Sequence, residues 1–144
     1  QTFAICAAMG VLGGRRSTWA VAVSLLLGAV GLPVFSGFRG GLGALLGVTG
    51  GYILGYILCA LIVGALSRKF AFNFKTLCLS MVLGVAVCYT FGTIWFMAVT
   101  GLNLATSMSY CVIPFLPGDA VKILLAAFLA LRLRKPLAAQ GFAA

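Results

Sequence analysis

From Thr76 to Thr100 the chain reads TLCLSMVLGVAVCYTFGTIWFMAVT, with no charged side chain anywhere in the run. Few folds are open to such a stretch. As an α-helix it is long enough to cross the roughly 30 Å hydrocarbon core of a bilayer. A membrane barrel would need short strands of alternating apolar and polar residues, and this run does not alternate. A water-soluble fold would have to cover it with polar surface drawn from elsewhere. The rest of the chain cannot supply that cover: 63% of its 144 residues are hydrophobic and 8% charged, against about 25% charged in ordinary soluble domains.

The same pattern recurs. Apolar segments run from Gln1 to Gly14, Trp19 to Leu32 (ending at Pro33), Gly51 to Leu66, Thr76 to Thr100 and Gly118 to Leu133. Being apolar all round, they read as helices in contact with lipid and with one another. The expected fold class is an all-α integral membrane protein, a bundle of about five transmembrane helices. One domain is expected over 1–135, with a short tail over 136–144.

The charges fit that count. Arg15 and Arg16 follow the first segment, Arg68, Lys69 and Lys75 separate the third from the fourth, and Arg132, Arg134 and Lys135 follow the fifth. If each segment crosses once, all three clusters fall on one face, which the positive-inside rule makes cytoplasmic. The net charge of +9 is therefore read as topology. The partner expected from it is the lipid bilayer and no nucleic acid, since the basic residues do not interleave with aromatics as in a nucleic-acid groove.

The chemistry of the side chains excludes several classes. The five cysteines, Cys6, Cys59, Cys78, Cys88 and Cys111, are irregularly spaced, and the chain has no histidine. A zinc site is not expected, and the cysteines read as small apolar packing residues. With one carboxylate in the whole chain and no nucleophile beside a base, acid–base pairs and triads are absent. An enzyme is not expected, nor are a cofactor or catalytic residues.

The charges left unexplained are Arg39, Asp119 and Lys122, and all three map to the other face. There the stretch PVFSGFRGGLGALLGVTGG, residues 33–51, is rich in glycine but matches no phosphate-binding pattern. Its Gly37–Gly43 part reads as a loop folded over a pocket. Gly47, Gly51 and Gly55 have the spacing of small residues that let helices approach closely. A second apolar loop, GLNLATSMSYCVIPFLP, lies on the same face.

Asp119 follows Pro117 and Gly118, a helix start at which an acid faces the positive end of the helix dipole. Lys122 has the reach to snorkel to the interface. Spaced i, i+3, the two can also pair. Against these structural readings stands the cost of placing charge in a span, about 3 kcal/mol on insertion scales, which favours a pocket with one acceptor and one cation. Three functions remain open at this point: a binding or transport subunit, a proton-coupled small-solute carrier with Asp119 as relay, and a non-transporting structural membrane protein in which the pair caps a helix.

Two long motifs narrow the choice. GLPVFSGFRGGLGALLGVTGGYILGY, followed far downstream by FLPGDAVKILLA, resembles the BioY family, the biotin-specific substrate-binding (S) component of energy-coupling-factor (ECF) transporters. The family shows G-x-P-V-F, a glycine-rich loop, G-P-T-G-G-Y and a late P-G-D-x-x-K; Val48 stands here where it usually has proline. The first residues, QTFAICAAMGVLGGRRST, resemble the family's Q-T run and L-G-x-[KR] turn. The resemblance covers residues 1 to 135 and implies six helices, with this sequence beginning at the second. It implies high-affinity capture of biotin as transported substrate in a bacterial cell membrane, from the extracellular side. The implied partners are a transmembrane coupling protein and two ABC-type ATPases, or else a self-oligomer. Asp119 and Lys122 match P-G-D-x-x-K, Tyr52 matches the tyrosine of G-G-Y, and Arg39, Phe35 and Gly41 lie in the glycine-rich loop expected to touch substrate. Asp119 would accept a ureido N–H, with Lys122 or Arg39 pairing the valerate carboxylate. Val34, Phe35, Leu42, Trp95 and Tyr110 would supply apolar walls.

Overall fold

Where the sequence is apolar without interruption, the chain is helical. The computed structural model describes residues 2–35, 37–70 and 73–140. Gln1, at the head of the first segment, and residues 141–144 of the expected tail lie outside the described residues. The helices are α1 (Thr2–Leu12), α2 (Gly14–Val30), α3 (Leu42–Leu46), α4 (Gly50–Lys69), α5 (Phe74–Thr100), α6 (Leu104–Cys111) and α7 (Leu116–Ala139). Among the described residues there is no β-strand, only an isolated antiparallel bridge between Phe35 and Arg39.

The five expected segments are thus the five longest helices, α1 being the shortest of them, and two further helices form where loops were expected. Asn103 explains one of these: its side chain accepts from the Thr106 amide at 2.9 Å and caps α6. Other boundaries also shift. Only Gly13 separates α1 from α2, so Arg15 and Arg16 stand in the first turn of α2 and not in a connecting loop. The stretch after Lys135 continues α7 to Ala139, through Pro136. Among the described residues α5 alone is long and apolar enough to cross a bilayer by itself; α6 and α7, bent by 50°, meet that test together. Thr2–Leu12 and Gly50–Leu66 are apolar but shorter.

The packing is that of a membrane bundle, with many small residues inside beside a few large ones such as Met9, Leu77 and Met81, and many large ones outside. Ala60, Ala126, Ala127 and Ala130 are fully buried, while Leu26, Leu61, Leu79, Ile94, Leu124 and Phe128 face outward. Lipid is as apolar as leucine, so helices associate through close approach and not through burial of large side chains. The antiparallel pair α4–α5 is the most extensive contact, and α1 packs chiefly on α7. Gly55 faces Cys88 of α5, where an added Cβ would lie 2.9 Å from its Sγ. Gly84 reciprocates, with Cys59 Sγ at 2.8 Å from such a Cβ. Gly51 lies on Trp95 and Gly92 on the ring of Tyr52. The packing role of Gly51 and Gly55 is thereby explained, with Cys88 filling the space at Gly55 and Cys59 that at Gly84.

Candidate functional site

The chain directions fix where a site can form. The basic clusters lie at or near the C-terminal ends of α1, α4 and α7, whereas Thr2, Tyr52 and Asp119 lie in the first turns of those same helices. These first turns, with Tyr89 of α5 and the segments before α4 and α7, enclose a cavity of about 360 Å³. That is within the usual range for small-molecule sites.

Sequence and structure agree on much of its lining. Phe35, Arg39, Tyr52, Tyr110, Asp119 and Lys122 all border the cavity. Lys122 Nζ lies 3.0 Å from Asp119 Oδ1, on the same helix face as the i, i+3 spacing requires. The second carboxylate oxygen accepts from the Tyr89 hydroxyl. Asp119 therefore does not cap its own helix with its side chain: both oxygens are engaged by other side chains. Its residue is 4% exposed, so the acid is buried in the cavity wall while the lysine beside it is 40% exposed at its side chain.

The glycine-rich loop reaches the cavity through Phe35 and Arg39. It is pinned to the end of α2: the Gly41 amide donates to the Gly28 carbonyl at 2.6 Å, and a Cβ at Gly40 would run into the carbonyls of Leu32 and Gly31. With φ of +90°, Gly41 adopts a backbone that L side chains rarely take. Gly41 does not line the cavity; it shapes the loop that presents Arg39. Three apolar wall residues also lie elsewhere. Leu42 points outward, 64% exposed. Val34 borders a separate groove between α1 and α2. Trp95 donates from Nε1 to the Gly47 carbonyl at 3.1 Å, tying α5 to the loop before α4.

The residues that the sequence does not point to include three aromatics. Tyr56, Tyr89 and Phe115 line the cavity, as do Thr2, Ala44, Thr49, Ile53 and Cys111. Tyr52 and Tyr89 meet edge to face, with ring centroids 6.3 Å apart at 76°, and the Tyr52 hydroxyl lies 3.2 Å from Thr93 Oγ1. The Y-x-x-x-Y spacing of Tyr52 and Tyr56 on α4 was the available signal, since i and i+4 share a helix face.

The arrangement is an aromatic-walled chamber with one buried acceptor, its paired lysine, and an arginine at the rim. The chain's single acid is committed to Lys122 and Tyr89, so Arg39 has no acidic partner among the described residues. The cavity's charged groups, Asp119, Lys122 and Arg39, carry one net positive charge. This suits a largely apolar monoanion that also carries N–H donors. Nothing in it pairs a base with a nucleophile.

Known proteins are consistent with this chamber. The model of the BioY family matches residues 1–139. The chain is 40% identical over 136 residues to the Thermotoga maritima protein named "Biotin transporter BioY", covering 94% of this chain and 79% of that one. A protein of the same name from Rhizobium etli is 36% identical, with 90% and 73% covered. Among solved structures, the S-component for biotin from an ECF-type ABC transporter superposes with a TM-score of 0.86 at 31% identity, covering 93% of this chain and 73% of that one.

Proposed function

The chain belongs to the BioY family, and from that premise we propose that it is the biotin-specificity subunit of an ECF-type transporter, capturing biotin in the cavity above Asp119 and delivering it across the membrane. The observation that carries this reading is the match between the chamber and the ligand. Biotin is a monoanion with a rigid fused ring, an aliphatic tail and two ureido N–H donors. Tyr52, Tyr56, Tyr89 and Phe115 offer walls for the ring and tail. Asp119 has lone pairs to spare after its bonds to Lys122 and Tyr89, and these accept the ureido N–H. Arg39 and Lys122 balance the carboxylate.

Biotin is here a transported substrate and not a cofactor. The chain's charges support an orientation with the basic clusters cytoplasmic and the cavity extracellular. A transmembrane coupling protein and two ABC-type ATPases are the proposed energising partners. Nothing favours a proton relay at Asp119, whose oxygens are both held by side-chain donors.

The test is uptake of labelled biotin by biotin-requiring bacterial cells that express the chain with and without the coupling protein and ATPases. The proposal expects accumulation that depends on the chain and rises with the energising partners. Equal uptake with and without the chain would refute it.

A further inference from the structure

Asp119 and Lys122 both ride on α7, three residues apart, so their pairing cannot fix the carboxylate relative to the rest of the chamber. Among the described residues, the Tyr89 hydroxyl is the one side-chain partner that Asp119 has on another helix. We propose that Tyr89 is the positioning residue of the site: its hydroxyl holds the Asp119 carboxylate turned into the cavity and acts on the ligand through that carboxylate. This rests on the biotin reading of the chamber.

The placement of Tyr89 is what makes it a suitable anchor. It belongs to α5, half of the most extensive helix pair. Its ring is braced by the edge of Tyr52. Tyr52 is in turn tied to Thr93 Oγ1 and packs against Gly92, where a side chain would displace it. The rigid α4–α5 frame thus ends in one phenolic hydroxyl, and that hydroxyl ends on the only acid in the chain. By contrast, α5 and α7 pack on each other far less than α4 and α5 do, so this hydrogen bond is a principal link between frame and acid.

Tyr89 and Asp119 also border a second space. On the far side of Tyr89 and Asp119 lies a second groove of about 610 Å³, between α5, α6 and α7 and almost wholly apolar. Both residues border both spaces. They form the partition between the polar chamber and an apolar groove. Removing the hydroxyl leaves the ring as a wall but releases the carboxylate, and the acceptor is then no longer preset for the ligand's N–H groups.

The experiment has two readouts. First, equilibrium binding of biotin is compared for the parent, Tyr89→Phe, Asp119→Ala and the double variant. Tyr89→Phe should lose about tenfold in affinity, the scale of one hydrogen bond to a charged group. In the Asp119→Ala background the same change should cost less than about threefold, since its route is gone. Second, because the chain has one aspartate and no glutamate, labelling with [4-13C]aspartate gives a single side-chain carboxyl resonance. Without any ligand, that resonance should shift between parent and Tyr89→Phe. Equal losses in the two backgrounds, or an unmoved resonance, would overturn the proposal. A parent that ignores biotin would sink the biotin reading alone, and the resonance would still decide the role of Tyr89.

Discussion

Replacing Lys122 with methionine keeps most of the side chain's length and removes its charge. At the 3.0 Å separation of Nζ and Oδ1, an effective dielectric near 20 gives an attraction of about 5 kcal/mol. That is an upper figure, because the lysine side chain is 40% exposed and the aspartate side chain 6%, so water already competes for the ammonium. Exposed pairs contribute about 0–1 kcal/mol, and breaking a buried pair costs about 3–5. The unequal burial makes the two halves of the pair unequal. Without Lys122 a buried carboxylate keeps only the Tyr89 hydroxyl, and Lys122→Met should destabilise by about 2 kcal/mol. Without the acid, the ammonium turns to solvent, and Asp119→Asn should cost about 0.5–1 kcal/mol. The assay is thermal unfolding of the detergent-purified chain without ligand. At about 2–4 °C per kcal/mol, Tm should fall by about 5 °C in Lys122→Met and about 2 °C in Asp119→Asn. The double variant, lacking both charges, should melt above Lys122→Met. If Asp119→Asn were the more damaging change, or the double variant the least stable, the burial argument would be wrong.

Three further outcomes are expected. Gly55→Ala places a methyl 2.9 Å from Cys88 Sγ and 3.3 Å from the Cys88 Cα and carbonyl oxygen and should destabilise by about 1–3 kcal/mol, with Cys88→Ala restoring only the part due to the sulfur; thermal melts of the single and double variants check this. Arg39, at the cavity rim, should matter for the ligand's carboxylate alone: Arg39→Gln should weaken biotin about fivefold, the scale of an exposed ion pair, while titrations with biotin methyl ester come out equal for parent and variant. Cys111 borders the cavity and Cys78 borders none of the cavities described here; both are partly exposed, so saturating biotin should slow alkylation of Cys111, followed by mass spectrometry, and leave Cys78 unchanged.

Much of the fold was legible because lipid imposes simple rules. Long uncharged runs must be helical, and charges that gather at run ends fix which ends lie together. Asp119 and Lys122 stood out because an isolated acid–base pair in an apolar chain has few reasons to exist, and i, i+3 spacing already placed them on one face. What the sequence hid was the rotation of each helix about its axis. A helix that is apolar all round carries no stripe to say which side faces inward. Tyr89 therefore gives no sign in sequence that it turns toward Asp119, and Trp95, an aromatic at the depth of the cavity, bonds the Gly47 carbonyl instead of lining that cavity. Gly41 was read as a ligand contact for the same reason that it is needed as a hinge: its freedom of backbone is visible in sequence, but its purpose is not. The α6 helix was lost because one Asn103 cap is a small signal in an apolar loop.

Whether this chamber holds biotin through Asp119 is decided by equilibrium binding of labelled biotin to the detergent-purified chain beside Asp119→Asn. Saturable binding of one biotin per chain is expected, weakened in the variant by about 1–3 kcal/mol, the scale of leaving a buried polar group poorly paired. A folded parent that binds no biotin, or a variant that binds as tightly as the parent, would contradict that expectation.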